Sequence, residues 1–276
     1  MVKIVKWEDI KDQFTDSLLL GNGASIAIDK CFSYDSLYEK ASLTPEVEGL
    51  FESFNTKNFE LVLQKLGEAR KVMNALNIKC QKVLETHSSV QEALKTVLLK
   101  THTDYDSFDF NADAITSFIM HFNHNIVSLN YDLTLYWARM KKDRNWSKDG
   151  FMKDGLFRQN FEPLRISPKS NKKHPLVFYP HGSLYLLRTY EGKAKKIKLS
   201  PNTKHNLLKE IFKNWASDKA DPLIVCEGTS VEKMNVILNN TYLNTVYEKI
   251  LPNIGKTLTV YGWSFSEHDQ HIIDQI

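Results

Sequence analysis

The sequence predicts an α/β protein in which a parallel sheet carries helices on both faces and a helical insertion occupies about residues 44–103. Two observations lead to this prediction. Five short apolar runs each end in small or polar residues, which is typical of strands buried on both faces of a parallel sheet. Between the first two runs lies a long tract with helical apolar spacing and almost no strand pattern. The five runs are 17–20, 125–129, 175–179, 222–226 and 257–261.

The composition is that of an ordinary globular protein of 276 residues, of which 42% are hydrophobic and 25% charged. This is enough apolar material for one large domain, or for one domain with a substantial insertion. The 36 basic and 33 acidic residues give a formal charge of only +3, so no strong field selects nucleic acid or an anionic membrane. No apolar run approaches the roughly 20 residues of a membrane span, and the first residues lack the apolar stretch of a signal peptide. We therefore expect a cytoplasmic protein that binds neither membranes nor nucleic acid.

The first run stops at a glycine-bearing turn, Gly21-x-Gly23-x-Ser25. Because glycine has no Cβ, the backbone of such a turn can approach a ligand closely. The N-terminus of a helix that follows offers N–H groups and the positive end of the helix dipole, which suits a diphosphate. A turn of this kind is often only a turn, however, and the third glycine of the common dinucleotide fingerprint is absent.

The tract that follows begins with Thr44-Pro45, an N-cap residue followed by proline at the first helical position. Its apolar stripe could serve as a partner surface or pack against its own domain. We expect the second, because burial within the domain is the common use of such a face.

The second and third runs end in side chains that can do chemistry. Asn130 and Asp132 follow the second run, where an amide and a carboxylate can bond ribose hydroxyls or fix a water; equally, Asp132 can serve merely to cap a helix. His181 follows the third run, and its near-neutral pKa suits a general base. An isolated histidine is more often structural than catalytic, so position must decide. Because ligands bind beyond the carboxyl ends of the strands in open α/β sheets, we expect these endings to converge on one site.

Metal binding is not expected. The three cysteines are widely spaced and form no C-x-x-C pair, so neither a disulfide framework nor a cysteine zinc site is indicated. Two histidine pairs, His121 with His124 and His268 with His271, have metal-like spacing. A metal site needs three or more converging ligands, so both pairs are interpreted as structural or incidental.

Taken in order, five motifs resemble those of the SIR2-like superfamily, most closely the bacterial SIR2-like proteins associated with antiphage defence, a group that includes the domain of unknown function 4917. The resemblance runs from about residue 18 to the end, with the helical tract as an insertion. The motifs are Leu-Leu-Gly-Asn-Gly-Ala-Ser at 19–25, Ser-Leu-Asn-Tyr-Asp at 128–132, Pro-His-Gly at 180–182, Glu-Gly-Thr-Ser at 227–230 and Tyr-Gly-Trp-Ser-Phe-Ser-x-x-Asp at 261–269.

The resemblance implies a single Rossmann-like domain over residues 1–276 that binds NAD. It implies a catalytic pair, Asn130 and His181, with Asp132 near the nicotinamide ribose and Asp269 where the last loop meets the adenosine half. The remaining implied NAD-binding residues are Gly21, Asn22, Gly23 and Ser25 at the diphosphate, and Gly228, Thr229 and Ser230 in a segment that closes on the dinucleotide.

The departures from deacylating sirtuins narrow the expected reaction. Their four-cysteine zinc ribbon has no counterpart here, and Leu129 stands where their motif has glutamine. Both count against acyl-lysine chemistry. We therefore expect an NAD glycohydrolase of antiphage defence, which homo-oligomerisation or a separate regulatory partner protein would restrain. ADP-ribosyl transfer, cyclisation, or sensing of NAD or ADP-ribose without turnover remain the alternatives.

Overall fold

The computed structural model describes residues 4–102, 105, 108, 111–142, 146–168, 171–189, 191–197, 207–215, 221–225 and 230–276. The strands are β1 (Ser17–Leu20), β2 (Asn125–Ser128), β3 (Leu176–Phe178), β4 (Gly182–Arg188), β5 (Ala194–Lys196), β6 (Asp221–Ile224) and β7 (Leu258–Tyr261). The helices are α1 (Trp7–Ile10), α2 (Asn22–Ile28), α3 (Tyr34–Lys40), α4 (Pro45–Ser53), α5 (Phe59–Ala75), α6 (Gln81–Thr101), α7 (Asn111–Met120), α8 (Thr134–Lys142), α9 (Leu207–Trp215), α10 (Ser230–Leu238), α11 (Thr241–Thr245) and α12 (Gln270–Ile273).

The core of the fold is a four-stranded sheet in the order β3-β2-β1-β7, and all three strand pairings are parallel. Every residue of β1, β2 and β3 is buried, as their apolar sequences predict for strands covered on both faces. Four of the five predicted runs contribute to this sheet. The predicted α/β class with a Rossmann-like parallel sheet is therefore confirmed.

The remaining run, 222–226, does not join the parallel sheet, so this part of the prediction is wrong. Its strand, β6, pairs antiparallel with β4, and a second sheet forms in the order β5-β4-β6. Leu223 and Val225 are buried there. Burial produces the same apolar pattern in either sheet, so the pattern did not indicate which strand would be the partner.

The predicted insertion is helical and consists of α4, α5 and α6. The Thr44 hydroxyl accepts a hydrogen bond from Val47 N at 3.4 Å, and Pro45 is the first residue of α4. Apolar side chains of α5 and α6, including Val62 and Val97, belong to the main hydrophobic core. The apolar stripe thus packs against its own fold, as expected.

The connection over residues 141–173 is rich in Lys, Asp, Asn and Arg, a composition typical of a surface segment. Its described parts nevertheless contribute buried groups. Trp146 is buried, and the Asp149 carboxylate pairs with Arg139 at 3.3 Å and with Lys196 at 2.7 Å. Burial opposes ionisation of Asp149, but the two cations outweigh it and lower its pKa to about 2. This segment therefore contributes a buried, paired carboxylate as well as an aromatic side chain. Its polar composition gave no sign that these groups would be buried.

Within the described residues, no helix is long and apolar enough to cross a membrane.

Gly182 allows a test of the turn between β3 and β4, in which His181 lies. Its φ is +78°, and a Cβ at this position would overlap the carbonyl oxygen of Leu223 on β6. A left-handed conformation alone costs about 1–2 kcal/mol for a non-glycine residue. We expect Gly182→Ala to lower the free energy of unfolding by more than this strain alone, because the overlap adds to it.

Gly192→Ala is the matched control, because Gly192 has a φ of +70° but its Cβ would stand 3.2 Å from the carbonyl oxygen of Asn239. It should show little more than the strain of about 1–2 kcal/mol. Equal losses for the two variants in chemical denaturation would contradict the packing described at Gly182.

Candidate active site

A cavity of about 330 Å³ lies at the carboxyl ends of β1, β2 and β7. This is where ligands bind in open α/β sheets, and small-molecule sites are typically about 300–1,000 Å³. The strand endings predicted to converge do so here. The residues that line the cavity from the sheet side are Gly21, Asn22, Gly23, Leu129, Asn130, Tyr131, Asp132, His181, Gly262, Trp263 and Asp269.

The helical insertion forms part of the opposite wall. Phe59 of α5 and Leu94 and Leu98 of α6 line the cavity, and all three belong to the buried faces of their helices. This apolar surface suits a flat ring. The sequence predicted that the insertion packs on the fold, but it gave no sign that the insertion helps to form the site.

The glycine-bearing turn after β1 packs tightly against the loop after β7. Gly21 N donates to Tyr261 O at 2.9 Å, and Gly23 N donates to Gly262 O at 2.8 Å. A Cβ on Gly21 would lie 2.6 Å from Gly262 O and 2.6 Å from atoms of Trp263. Glycine is therefore required by this contact between loops. The two amides point to the loop rather than to a ligand, so they do not supply the diphosphate contacts that the turn suggested.

Asn130 is held by both hydrogens of its amide. Its Nδ2 donates to Gly21 O at 2.9 Å and to Ser25 Oγ at 2.8 Å. A backbone carbonyl can only accept, which fixes the orientation of the amide. The side chain is 9% exposed and lines the cavity. A ligand can therefore meet Asn130 only at Oδ1.

Ser25 and Asp132 support Asn130 from behind. The Ser25 hydroxyl donates to Asp132 Oδ2 at 2.6 Å, and Asp132 Oδ1 accepts from Thr134 N at 2.7 Å where α8 begins. Asp132 thus caps the helix, as one of its two predicted uses requires, and it also anchors the Ser25–Asn130 network. Ser25 does not line the cavity, and it acts through Asn130.

His181 is 2% exposed and belongs to a buried cluster. Its Nε2 lies 3.0 Å from Nε2 of His271 and 3.9 Å from Oδ1 of Asp269. Burial and the positive charge of Lys233 hold the pKa of His181 well below its usual range. The same two causes lower the pKa of His271 to about 4. Both rings are consequently neutral at pH 7.

A buried lysine completes this cluster. Lys233 of α10 is 2% exposed, and its ammonium donates to Asp269 Oδ1 at 2.9 Å and lies 4.0 Å from Glu60 Oε2. Asp269 Oδ2 also accepts from Trp263 Nε1 at 3.1 Å. Burial opposes ionisation of Asp269, yet the charge and hydrogen bond of Lys233, with the hydrogen bond of Trp263, outweigh it and lower the pKa of Asp269.

Lys233 and Glu60 were not predicted from the sequence, and His271 was interpreted there as structural or incidental. The sequence does contain a signal for Lys233. Lys233 and Ile237 are four residues apart, so a helix places this lysine on the same face as an apolar side chain. Contacts between distant segments placed the other two residues, and no local pattern marks them.

His181, Asp269 and His271 also have the geometry of a possible metal triad, with one ligand atom from each lying within 4.8 Å of the others. The ammonium of Lys233, at 2.9 Å from Asp269 Oδ1, already supplies the cation for this carboxylate. A divalent ion would face that charge at close range. The arrangement therefore favours the lysine ion pair over a metal.

The remaining predicted NAD-binding residues have different outcomes. Gly228 and Thr229 lie outside the described residues. Ser230 is described but does not line the cavity, and its hydroxyl oxygen accepts from His271 N at 2.9 Å instead. Asp269 stands beside His181, so the geometry groups it with the predicted reacting end rather than with an adenosine site.

The formal charges around the cavity are unbalanced. Among the described residues that line it, three carboxylates, Glu60, Asp132 and Asp269, face one ammonium, that of Lys233. The formal charge of these four groups is therefore negative, and the neutral His181 does not change it. Such a cavity stabilises a cationic group and repels an anionic one.

The parallel sheet and the cavity over its carboxyl ends define a Rossmann-like α/β protein with a cavity of small-molecule size. The chain belongs to the family described as domain of unknown function (DUF4917), whose model matches residues 18–276. No curated protein matches the chain.

The lowered pKa values predict how stability depends on pH. In the unfolded chain, histidine takes up a proton as the pH falls through about 6.5, whereas folded His271 does so only near pH 4. The native state is therefore destabilised as the pH falls across this window. From pH 7 to pH 5, we expect a loss of about 2 kcal/mol for His271 and a loss of the same sign for His181.

Urea denaturation at pH 7 and pH 5 measures this loss, and His271→Gln should lose less stability on acidification than the unmodified protein. A free energy of unfolding that is equal at both pH values would show that the two rings are not held neutral.

Proposed function

We propose that this chain is an NAD glycohydrolase, which cleaves the bond between nicotinamide and ribose and releases nicotinamide and ADP-ribose. One observation carries the proposal: the amide of Asn130 and the buried neutral His181 converge on an acidic cavity of small-molecule size at the carboxyl ends of the sheet.

The charge of the cavity suits this reaction. The nicotinamide ring of NAD is a pyridinium cation, and as the glycosidic bond lengthens the positive charge moves to the ribose as an oxocarbenium ion. Preorganised carboxylates such as Asp269 and Glu60 would stabilise that charge. The diphosphate of NAD, being anionic, would lie outside this cavity.

The proposed reaction begins with cleavage of the C–N bond between nicotinamide and ribose. The electron pair of the C–N bond leaves with the nicotinamide nitrogen, which becomes neutral. Water adds to the ribose carbon and gives up a proton to His181, which is unprotonated at pH 7. The lowered pKa makes His181 a weaker base than the near-neutral histidine expected from the sequence. Asn130 has only Oδ1 to offer, so we assign it to a ribose hydroxyl or to the attacking water. The apolar wall formed by Phe59 and Leu94 would receive the departing ring.

The sequence motifs support the same proposal. Their order resembles that of the SIR2-like superfamily, whose defence-associated members resemble NAD hydrolases. On this resemblance we propose a role in antiphage defence in the cytoplasm, with the activity restrained by homo-oligomerisation or by a separate partner protein. Transfer to another acceptor, or cyclisation, would use the same bond cleavage and would differ only in the product.

Substitution of the two proposed catalytic residues tests the reaction. We expect Asn130→Ala and His181→Ala each to reduce nicotinamide release by about 100- to 10,000-fold, as is typical when a positioned group is lost. Their effects should not add in the double variant, because both serve one step. Chromatography of the products distinguishes ADP-ribose from cyclic or transferred products.

Asn123→Ala and His124→Ala are the matched controls, because these residues lie at the amino end of β2, on the opposite edge of the sheet. They should retain the unmodified rate. If a folded His181→Ala protein hydrolyses NAD as fast as the unmodified one, the assignment of the base is wrong.

Ligand binding tests the charge argument separately. A ligand that binds only the native state raises the unfolding temperature, and at a fixed ligand concentration the rise grows with the logarithm of the affinity. Because the cavity is proposed to hold the cationic half, NAD should raise the unfolding temperature of a non-hydrolysing His181→Ala protein more than NADH or ADP-ribose does. Equal shifts for NAD and ADP-ribose would place recognition in the ADP-ribose part and would favour a sensing module over the proposed enzyme.

A further inference from the structure

His271, in the short helix α12, connects the buried His181 to Ser230 at the start of α10. Nε2 of His271 lies 3.0 Å from Nε2 of His181, and Nδ1 lies 3.2 Å from Ser230 Oγ. The backbone N–H of His271 donates to the same hydroxyl oxygen at 2.9 Å. Ser230 thus contacts His271 at two points, and His271 contacts His181. Neither Ser230 nor His271 lines the cavity.

The contact between the two rings constrains their protons. A neutral imidazole has one N–H and one nitrogen lone pair. Two lone pairs facing each other at 3.0 Å would repel, so one ring must donate and the other must accept. The Leu129 backbone also hydrogen-bonds His181 and favours a proton on that ring. Because a carbonyl can only accept, His181 donates to Leu129, its Nε2 accepts, and His271 Nε2 donates. The Ser230 hydroxyl, which already accepts from His271 N, can donate to His271 Nδ1 and so favours the same arrangement.

The charged groups around the pair keep it neutral. Burial and the ammonium of Lys233 disfavour a proton on either ring, whereas Asp269 favours one on both and Asp274 favours one on His271. Glu60, on the other side of Lys233, offsets part of the lysine charge at 4.0 Å. At pH 7 the rings therefore interact as one neutral donor and one neutral acceptor.

We propose that His271 and Ser230 are positioning residues of the proposed glycohydrolase, and that they fix the orientation and the tautomer of His181. The inference rests on the proposed function for its kinetic consequence and on the three contacts above for its geometry. It gives Ser230 a role different from the dinucleotide contact that the sequence motif implied. It also gives a role to a histidine that the sequence analysis interpreted as incidental.

The kinetic test compares two substitutions of His271. His271→Ala removes the partner of His181 and should lower kcat by on the order of 100-fold with little change in KM, because a misplaced base reacts slowly. His271→Gln keeps an amide near the position of Nε2 and should recover much of that loss. Ser230→Thr, which retains the hydroxyl, should stay closer to the unmodified rate than Ser230→Ala. If His271→Ala and His271→Gln are equally slow, the role is packing and the proposal fails.

A second measurement does not need turnover. Long-range ¹H–¹⁵N NMR spectra of histidine-labelled protein report the tautomer of each ring, and the His181 signals are identified by their loss in His181→Gln. We expect a single tautomer for His181 in the unmodified protein and in His271→Gln, and a mixture in folded His271→Ala. Ser230→Ala, which leaves the His271 ring in place, replaces His271→Ala if that protein does not fold, and it too should show a mixture.

The kinetic and NMR measurements distinguish failure of the proposed function from failure of the positioning role. If the unmodified protein releases no nicotinamide, the proposed function fails, while the tautomer of His181 still decides whether His271 positions it. If His181 keeps one tautomer in the folded variant, the positioning role is overturned even when NAD is hydrolysed.

Discussion

The ammonium of Lys233 is the group around which the site is arranged. A charge removed from water at 2% exposure costs several kcal/mol unless it is paired. The pairing carboxylates come from two other parts of the chain, Asp269 before α12 and Glu60 at the start of α5. Satisfying one buried cation therefore brings together α10, the C-terminal turn and the helical insertion, and these are the elements that surround the cavity with the strand ends.

The chemistry of the neighbouring groups follows from that ion pair. Burial and the lysine charge keep His181 and His271 neutral, so Lys233 is left as the one ammonium facing the three carboxylates among the described residues that line the cavity. The amides of Gly21 and Gly23 are engaged by the loop after β7, so these two N–H groups do not offset the negative charge. Both facts support the proposal that a cationic pyridinium ribose enters the cavity, and that an attached diphosphate remains outside it.

Local sequence patterns predicted much of the fold and part of the site. Apolar runs that stop at polar residues indicated the four parallel strands, and helical spacing indicated the insertion. Because parallel strands end at one edge of the sheet, the contact between Asn130 and the end of β1 was predictable from the sequence alone.

What the sequence did not predict depends on pairing across distance. β6 has the composition of a buried strand in either sheet, and only its partner shows which sheet it joins. Lys233 and Asp269 are separated by 36 positions and His181 and His271 by 90. No periodicity encodes such contacts, so the cluster that tunes the histidines could be found only from the structure.

The central claim is that the cavity holds the nicotinamide ribose of NAD against Asn130 and His181. A crystal structure of the His181→Ala protein with NAD tests it most directly. The account predicts the nicotinamide ribose in the cavity, with a ribose hydroxyl or an ordered water within about 3.5 Å of Asn130 Oδ1, the ring against Phe59 and the diphosphate outside the carboxylates. NAD bound with its diphosphate among Glu60, Asp132 and Asp269, or bound elsewhere with the cavity empty, would contradict it.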